Sequence, residues 1–165
     1  MPASTFEQLV HGIRSDFVFR PRPTSLPPEL RPDWRISVLL LILLKTGHAN
    51  TASLKKLHVI SWAIRNAGDR RVFLDILKGN ATADALMVRF DPALNRALEF
   101  ALGEKLVAFE RLASGGLNVS LTEIGRRTAL ELEKYRDCLQ HEKAFLYDVG
   151  KVSEAKIENI LNWEE

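Results

Sequence analysis

The sequence is poor in the residues that form cross-links and metal sites. One of its 165 residues is a cysteine, Cys138, so an internal disulfide is impossible and we expect a reducing, cytoplasmic location. This thiol falls within a helical pattern, where a small buried apolar residue is the ordinary interpretation. The four histidines lack the spacing of a metal-binding helix, so we predict no metal site.

No pattern of catalytic residues occurs along the sequence. The glutamates form no recognisable acid/base pair. The glycines at 103, 115 and 116 lack the lysine and hydroxyl residues of a phosphate-binding loop, and no serine occupies a nucleophile elbow. We therefore predict that the chain is not an enzyme, with no catalytic residue and no cofactor.

Long apolar runs and a strong charge of one sign are also missing. The longest apolar run, Val38 to Leu44, is far shorter than the roughly 20 residues of a transmembrane helix, so we expect a buried helix and no membrane partner. No basic region followed by an apolar run marks a signal peptide at the start. The net charge is +2, with 18 Lys/Arg against 12 Asp/Glu in residues 1–127 and 5 against 9 in residues 128–165. This balance alone does not imply a nucleic-acid partner.

Hydrophobic residues make up 46% of the chain, which is enough for a single core. The segment from Trp34 to Lys45 is apolar nearly all round and predicts a central buried helix, with Asp33 as its N-cap. Further helices are predicted at 54–66 and 71–77, separated by a break at Gly68 and Asp69. The segment 83–90 is ambiguous, although Leu86, Val88 and Phe90 within it alternate like a short strand.

The stretch from Asp91 to Tyr135 is the most informative. Asp91 before Pro92 is typical of a helix start, and one apolar face follows at helical spacing, in Leu94, Leu98, Ala101 and Leu102. We expect Leu98 and Leu102 to be buried against the central helix. Short strands at 106–109 and 117–121 flank a turn at Ser114-Gly115-Gly116, and Thr122 then caps a new helix from Glu123.

This order predicts a mainly α fold: a winged helix-turn-helix with a small β-hairpin wing, an extended N-terminal arm and C-terminal helices. We divide the chain into an arm (1–32), a winged-helix domain (33–137) and a C-terminal helical extension (138–165). The helix from Glu123 is expected to continue through Leu132, Tyr135 and Leu139, a spacing that suits a helix–helix seam.

The segment 17–32 holds five of the seven prolines, so it is predicted to be extended. It either packs on its own domain or docks on a partner. In the second interpretation, apolar anchors fill pockets on the partner while two arginines pair with acidic rims. These candidate partner-binding residues are Phe17, Phe19, Arg20, Arg22 and Leu26.

A winged helix either reads DNA or contacts protein. The helix after Asp91 would expose Asn95, Arg96, Glu99 and Phe100, and the wing carries Arg111. Asn95 and Arg96 are residue types that read bases in the major groove, which makes them and Arg111 the candidate nucleic-acid-binding residues. Glu99 and Glu104 would repel phosphates, and the few basic side chains here would neutralise too few phosphates for a DNA reader. Protein contact is therefore favoured.

Four segments together resemble a known family: RPDWRISVLLLILL (31–44), ASLKKLHVISWAI (52–64), FDPALNRALEFALGEKLVAF (90–109) and SLTEIGRRTALELE (120–133). They are similar to the small middle components of bacterial ABC three-component systems, close to the small subunit of Lamassu-type anti-phage systems. The resemblance implies an accessory subunit beside an SMC/Rad50-like ATPase and an effector, often a nuclease. It carries over no catalytic residue.

Two functions stay open. The first is a non-catalytic bridging subunit of an SMC-like defence complex against phage or plasmids, which contacts DNA only through the complex. The second is a free winged-helix transcription regulator that binds DNA itself. The proline-rich arm favours the first, whereas a palindromic operator and a stable homodimer would favour the second.

Overall fold

This computed structural model describes residues 27, 30–82, 91–113 and 115–161. Within them lie seven helices and three strands, and the architecture is mainly helical with a small antiparallel sheet. The predicted strand at 83–90 lies outside the described residues. In chain order the elements are α1 (Pro32–Thr46), β1 (Thr51–Ser53), α2 (Leu54–Ala63), α3 (Ala67–Leu77), α4 (Pro92–Gly103), β2 (Val107–Arg111), β3 (Leu117–Leu121), α5 (Glu123–Lys134), α6 (Gln140–Val149) and α7 (Glu154–Leu161).

Helix α1 is the central buried helix that its apolar run predicts. Every residue from Val38 to Leu43 is buried, and the helix contacts α2, α4, α5 and α6. It begins at Pro32 rather than after Asp33, because proline already has the φ of a first helical turn and its missing N–H is not needed there. Burying each such leucine or isoleucine side chain contributes about 1.5–3 kcal/mol, so α1 organises the core.

The sheet has the strand order β1-β3-β2, with both pairings antiparallel. Strands β2 and β3 form the predicted hairpin, and Gly115 in its turn has a φ of +87°. The third strand, β1, was not predicted from the sequence because three residues are too few to show alternation. Its last residue, Ser53, also caps α2, where its hydroxyl accepts a hydrogen bond from the Lys56 N–H at 3.1 Å.

The predicted break at Gly68 and Asp69 is wrong, because both residues lie in the first turn of α3. The side chain of Asn66 caps this helix by accepting a hydrogen bond from the Asp69 N–H at 2.8 Å. The free energy that the N-cap contributes exceeds the cost of one glycine in a helix. The helix therefore begins four residues earlier than its apolar pattern indicates.

The predicted continuous helix from Glu123 to Leu139 is also wrong. Helix α5 ends at Lys134, Tyr135 is extended, and Leu139 has a left-handed φ of +56° before α6 begins. Cys138 lies in this turn and is exposed, not buried as expected. The Lys143 side chain holds the turn by donating hydrogen bonds to the carbonyl oxygens of Leu132 and Tyr135, at 2.5 and 2.6 Å.

Helices α6 and α7 pack on the same core as the rest of the chain. Phe145, Leu146 and Ile157 are buried, and the Phe145 ring lies 6.1 Å from that of Phe73 in α3. A buried lysine, Lys56, ties these helices to α1 and α2, because its ammonium donates to the carbonyl oxygens of Thr46 and Val152, at 2.8 and 2.5 Å.

Burial lowers the pKa of Lys56, and the nearby Lys151 ammonium lowers it further, whereas the Glu154 carboxylate opposes both effects. The Glu154 carboxylate lies 3.9 Å from the Lys56 ammonium and also accepts hydrogen bonds from the N–H and hydroxyl of Ser53, at 3.2 and 2.5 Å. The start of α7 is therefore joined directly to the start of α2.

Candidate interaction surface

Helix α4 carries two of the three candidate nucleic-acid-binding residues, and its buried face decides what it presents outward. Its buried residues recur at helical spacing, at Leu94, Ala97, Leu98 and Ala101. The opposite face exposes Asn95, Arg96, Glu99 and Phe100, the set predicted for a recognition helix.

One residue of the predicted buried face does not face the core. Leu98 is 4% exposed as expected, but Leu102 is 42% exposed. At about 100° per residue, Leu102 lies about 80° around the helix from Leu94, so Ala101 takes the inward position instead. Leu102 and Phe100 therefore form two apolar flanks of the exposed face.

A polar cluster fixes the start of α4 against the core. The Arg35 guanidinium in α1 lies 2.6 Å from the Asp91 carboxylate, and that of Arg65 lies 3.8 Å from it. The same carboxylate caps α4 by accepting a hydrogen bond from the Ala93 N–H at 2.9 Å. Burial alone would raise the pKa of Asp91, but the Ala93 N–H and both arginines outweigh burial and hold the pKa below its ordinary range. The carboxylate therefore stays charged and keeps α4 in place.

Asn95 takes part in this cluster rather than pointing wholly into solvent. Burial lowers the pKa of His58 in α2, while the Asp91 carboxylate and a hydrogen bond with the Asn95 side chain raise it. The Asn95 amide is thus partly engaged with α2.

The third candidate, Arg111, lies on a separate element. It pairs with Leu117 at the end of β2, beside the hairpin turn. Alternation along the strand places it on the same face as Phe109 and the buried Val107. The structure therefore puts Asn95 and Arg96 together on α4, and puts Arg111 at the end of the hairpin.

We call the exposed residues of α4, β2 and their flanks the α4–hairpin surface. Four large apolar side chains contribute to it: Phe100 (58% exposed), Leu102 (42%), Phe109 (38%) and Leu112 (37%). Over α4, the loop after it and both faces of β2, the exposed charged residues balance, with three cations and three carboxylates, namely Arg96, Lys105, Arg111, Glu99, Glu104 and Glu110. The surface is therefore partly apolar and has no net charge.

A small groove adjoins this surface beside Phe100. It encloses about 200 Å³ between the start of α1 and α4, and it is lined by Leu30, Pro32, Arg35, Ala93, Arg96, Ala97 and Phe100. Most of these side chains are apolar, and the two arginines stand among them. The groove opens where the proline-rich segment enters α1. The predicted anchors of that segment, Phe17, Phe19, Arg20, Arg22 and Leu26, lie outside the described residues.

A glycine that the sequence pattern did not single out holds the hairpin against α5. A Cβ on Gly125 would overlap the carbonyl oxygen of Leu106 and lie 2.8 Å from its carbonyl carbon. Thr122 closes the same junction, since its hydroxyl donates to the Lys105 carbonyl oxygen at 2.6 Å and accepts from the Gly125 N–H at 3.0 Å. The base of the hairpin is therefore fixed relative to the core.

In the part of the chain that the structure describes, no three His, Cys, Asp or Glu side chains come close enough together to hold a metal ion. Over the same residues, no helix combines the length and apolarity needed to cross a bilayer.

Comparison with family models, with curated proteins and with solved structures finds no match for this chain.

Proposed function

We propose that this chain is a non-catalytic assembly subunit built on a winged-helix domain, and that its α4–hairpin surface docks on a protein partner. The winged-helix assignment is supported by the element order. A helix, a short strand, further helices and a hairpin follow one another, and the first strand pairs beside the last in the order β1-β3-β2. In this assignment α4 occupies the recognition-helix position and the β2–β3 hairpin is the wing.

The observation that carries the proposal is the character of the α4–hairpin surface. Protein interfaces have an apolar centre enriched in aromatic residues and a polar rim, which Phe100, Leu102 and Phe109 would supply with the charged residues around them. A DNA reader must instead neutralise several phosphates with Lys and Arg. Three carboxylates among three cations on this surface oppose that role.

The partner class comes from the resemblance of the four sequence segments. We propose that the chain bridges an SMC-like ATPase and an effector subunit in a bacterial system that acts against phage or plasmids. DNA is contacted mainly by the complex. In this proposal the arm, with Phe17, Phe19 and Leu26 as anchors, adds a second contact with the partner.

The test is co-purification of the tagged chain with a large coiled-coil ATPase encoded beside it. We expect a stable complex, and we expect deletion of residues 1–26 to weaken it while the circular dichroism of the free chain stays the same. The cut preserves the turn in which the Leu30 N–H donates to the Pro27 carbonyl oxygen at 2.9 Å, as well as all of α1. If the truncated chain stays folded and assembles as well as the full chain, the proposed docking role of the arm is wrong.

A second candidate is a winged-helix transcription regulator, favoured by the exposure of Arg96 and Asn95 on α4. It predicts a homodimer and tight binding to a palindromic DNA site. The assembly proposal predicts only weak binding of the isolated chain to short duplexes, without sequence preference. A nanomolar electrophoretic shift at physiological salt that random DNA competes poorly would decide for the regulator.

A further inference from the structure

A continuous groove runs between α3 and the C-terminal helices, away from the candidate residues on α4. It consists of two adjoining cavities of about 450 and 350 Å³, which share Leu74, Lys78 and Asp148 as lining residues. One end lies at His141, in the first turn of α6, and the other at Lys156 in α7. We call it the α3–α6 groove.

The lining of this groove is cationic. Five Lys or Arg side chains face two carboxylates, with two histidines beside them; the residues are Arg70, Arg71, Lys78, Lys151, Lys156, Asp75, Asp148, His48 and His141. Its net charge is +3 with neutral histidines, whereas the whole chain carries +2. The groove therefore carries a net positive charge, while the α4–hairpin surface is balanced.

Three of these cations have a structural role. Lys151 donates to the carbonyl oxygens of Leu44 and Gly47, Lys156 donates to that of Leu77 at 2.7 Å, and Arg70 donates to that of Ile64 at 2.9 Å. Each carbonyl lies at the C-terminal end of a helix, where basic side chains are stabilising. This role accounts for Arg70, Lys151 and Lys156.

The same role does not account for Arg71 and Lys78. Both are exposed, Arg71 in α3 and Lys78 as its C-cap residue, and neither side chain has a hydrogen bond or ion pair with the described part of the chain. They lie seven residues apart, about two helical turns, and so on the same side of α3 roughly 10 Å apart along its axis. These two cations without partners lie beside the three cations that have a structural role. The five together form an extended row of positive charge.

We propose that the α3–α6 groove binds the phosphate backbone of a nucleic acid. One strand of a duplex carries a phosphate about every 3.4 Å of axis, so the roughly 15 Å length of α6 spans about four of them. The apolar floor is largely buried, at Phe145, Val149 and Val152, and so offers few anchors to an acidic peptide.

The groove should bind without sequence preference, because contacts to backbone phosphates carry no sequence information. This inference goes beyond the proposed function and concerns a different surface. In an SMC-like complex it would give the subunit a weak backbone contact of its own, which matches the weak binding expected of the isolated chain.

The test is fluorescence anisotropy of the full chain with labelled 20-nucleotide single strands and duplexes, from 25 to 200 mM NaCl. We expect micromolar binding that weakens with salt, with a slope of log K against log salt of about −3 for the duplex, from three to four phosphate contacts. The double variant Arg71→Glu, Lys78→Glu should lose at least tenfold in affinity at 50 mM NaCl and flatten the slope by about two.

The matched control is Lys55→Glu, Arg127→Glu, which changes the net charge equally at two exposed positions outside the groove. We expect less than a threefold loss of affinity for the control, with unchanged circular dichroism in both variants.

If Arg71→Glu, Lys78→Glu unfolds the chain, the double variant Arg71→Gln, Lys78→Gln replaces it, and we expect it to lose at least threefold in affinity. Equal losses in the groove and control variants would overturn the proposal, as would displacement of DNA by polyglutamate at equal charge, which would instead indicate an acidic protein segment. Loss of the ATPase complex in α4 variants leaves this result unaffected, so the two proposals fail separately.

Discussion

Arg35 and Asp91 form a 2.6 Å ion pair that joins the central helix α1 to the N-cap of α4. The two side chains are only 10% and 15% exposed, although they are 56 residues apart in the sequence. Because Asp91 also caps α4, one carboxylate fixes both the start of this helix and its position on the core. The orientation of the α4–hairpin surface therefore depends on this pair.

Removing the guanidinium should destabilise the fold. We expect Arg35→Leu to lower the free energy of unfolding by about 1.5–3 kcal/mol, because it leaves a buried carboxylate without its closest charged partner. The matched control is Arg126→Leu, which breaks the exposed pair with Glu123 on α5 and should leave the free energy of unfolding nearly unchanged, because solvent screens an exposed pair. Urea unfolding measures both, and equal losses would show that the Arg35–Asp91 pair has no special role.

The same carboxylate predicts a pH dependence. The folded pKa of Asp91 is depressed, so its contribution to stability is fully present above the unfolded value, about 3.9, and is lost as the pH falls through the folded pKa. Asp91→Asn should therefore be less stable than the native chain at pH 6, and the difference should shrink between pH 5 and pH 2. Urea midpoints across this range test the prediction, and a difference that stays constant with pH would contradict it.

Gly125 gives a prediction about the base of the hairpin. We expect Gly125→Ala to cost about 1–3 kcal/mol, because the new methyl group must push α5 away from the Leu106 backbone. Gly103→Ala is the control, since a Cβ there meets nothing within 4 Å and alanine is the better helix former. Thermal unfolding should show a lower Tm for the first variant and an unchanged or higher Tm for the second. A neutral Gly125→Ala would mean that the junction yields without strain.

Leu98 and Leu102 of α4 test the point at which the structure differs from the prediction made from the sequence. Leu98→Ala should cost about 2–5 kcal/mol because it empties a buried site, whereas Leu102→Ala should cost less than about 1 kcal/mol at an exposed one. Chemical denaturation of both variants measures the difference. Equal costs would place Leu102 in the core, as the apolar pattern alone predicts.

Local chemistry made much of the fold predictable. The caps at Asp91 and Thr122, the glycine turn at Gly115 and the strand at 117–121 all depend on a few neighbouring residues, and each is where the sequence places it. The all-apolar run of α1 likewise identified the central helix. These signals fixed the order of helix, hairpin and helix without knowledge of the remaining chain.

The features that could not be predicted from the sequence depend on residues far away along the chain. Strand β1 exists because β3 offers it an edge, and Gly125 is needed because the Leu106 backbone approaches from 19 residues away. The row of cations in the α3–α6 groove combines residues from α3 with residues some 70 positions later, so no local pattern revealed it. Of the candidate site, the exposure of Asn95, Arg96 and Phe100 followed from helical periodicity, but their surroundings did not.

The central claim is that the α4–hairpin surface contacts protein rather than DNA. Isothermal titration of the chain against the SMC-like ATPase that we propose as its partner tests this claim most directly, with Phe100→Glu and the control Tyr147→Glu, at a residue of α6 that is 80% exposed. We predict that Phe100→Glu weakens binding at least tenfold, because a charge replaces an apolar anchor, and that Tyr147→Glu binds like the native chain. Unchanged affinity of Phe100→Glu, in a chain that stays folded, would contradict the account.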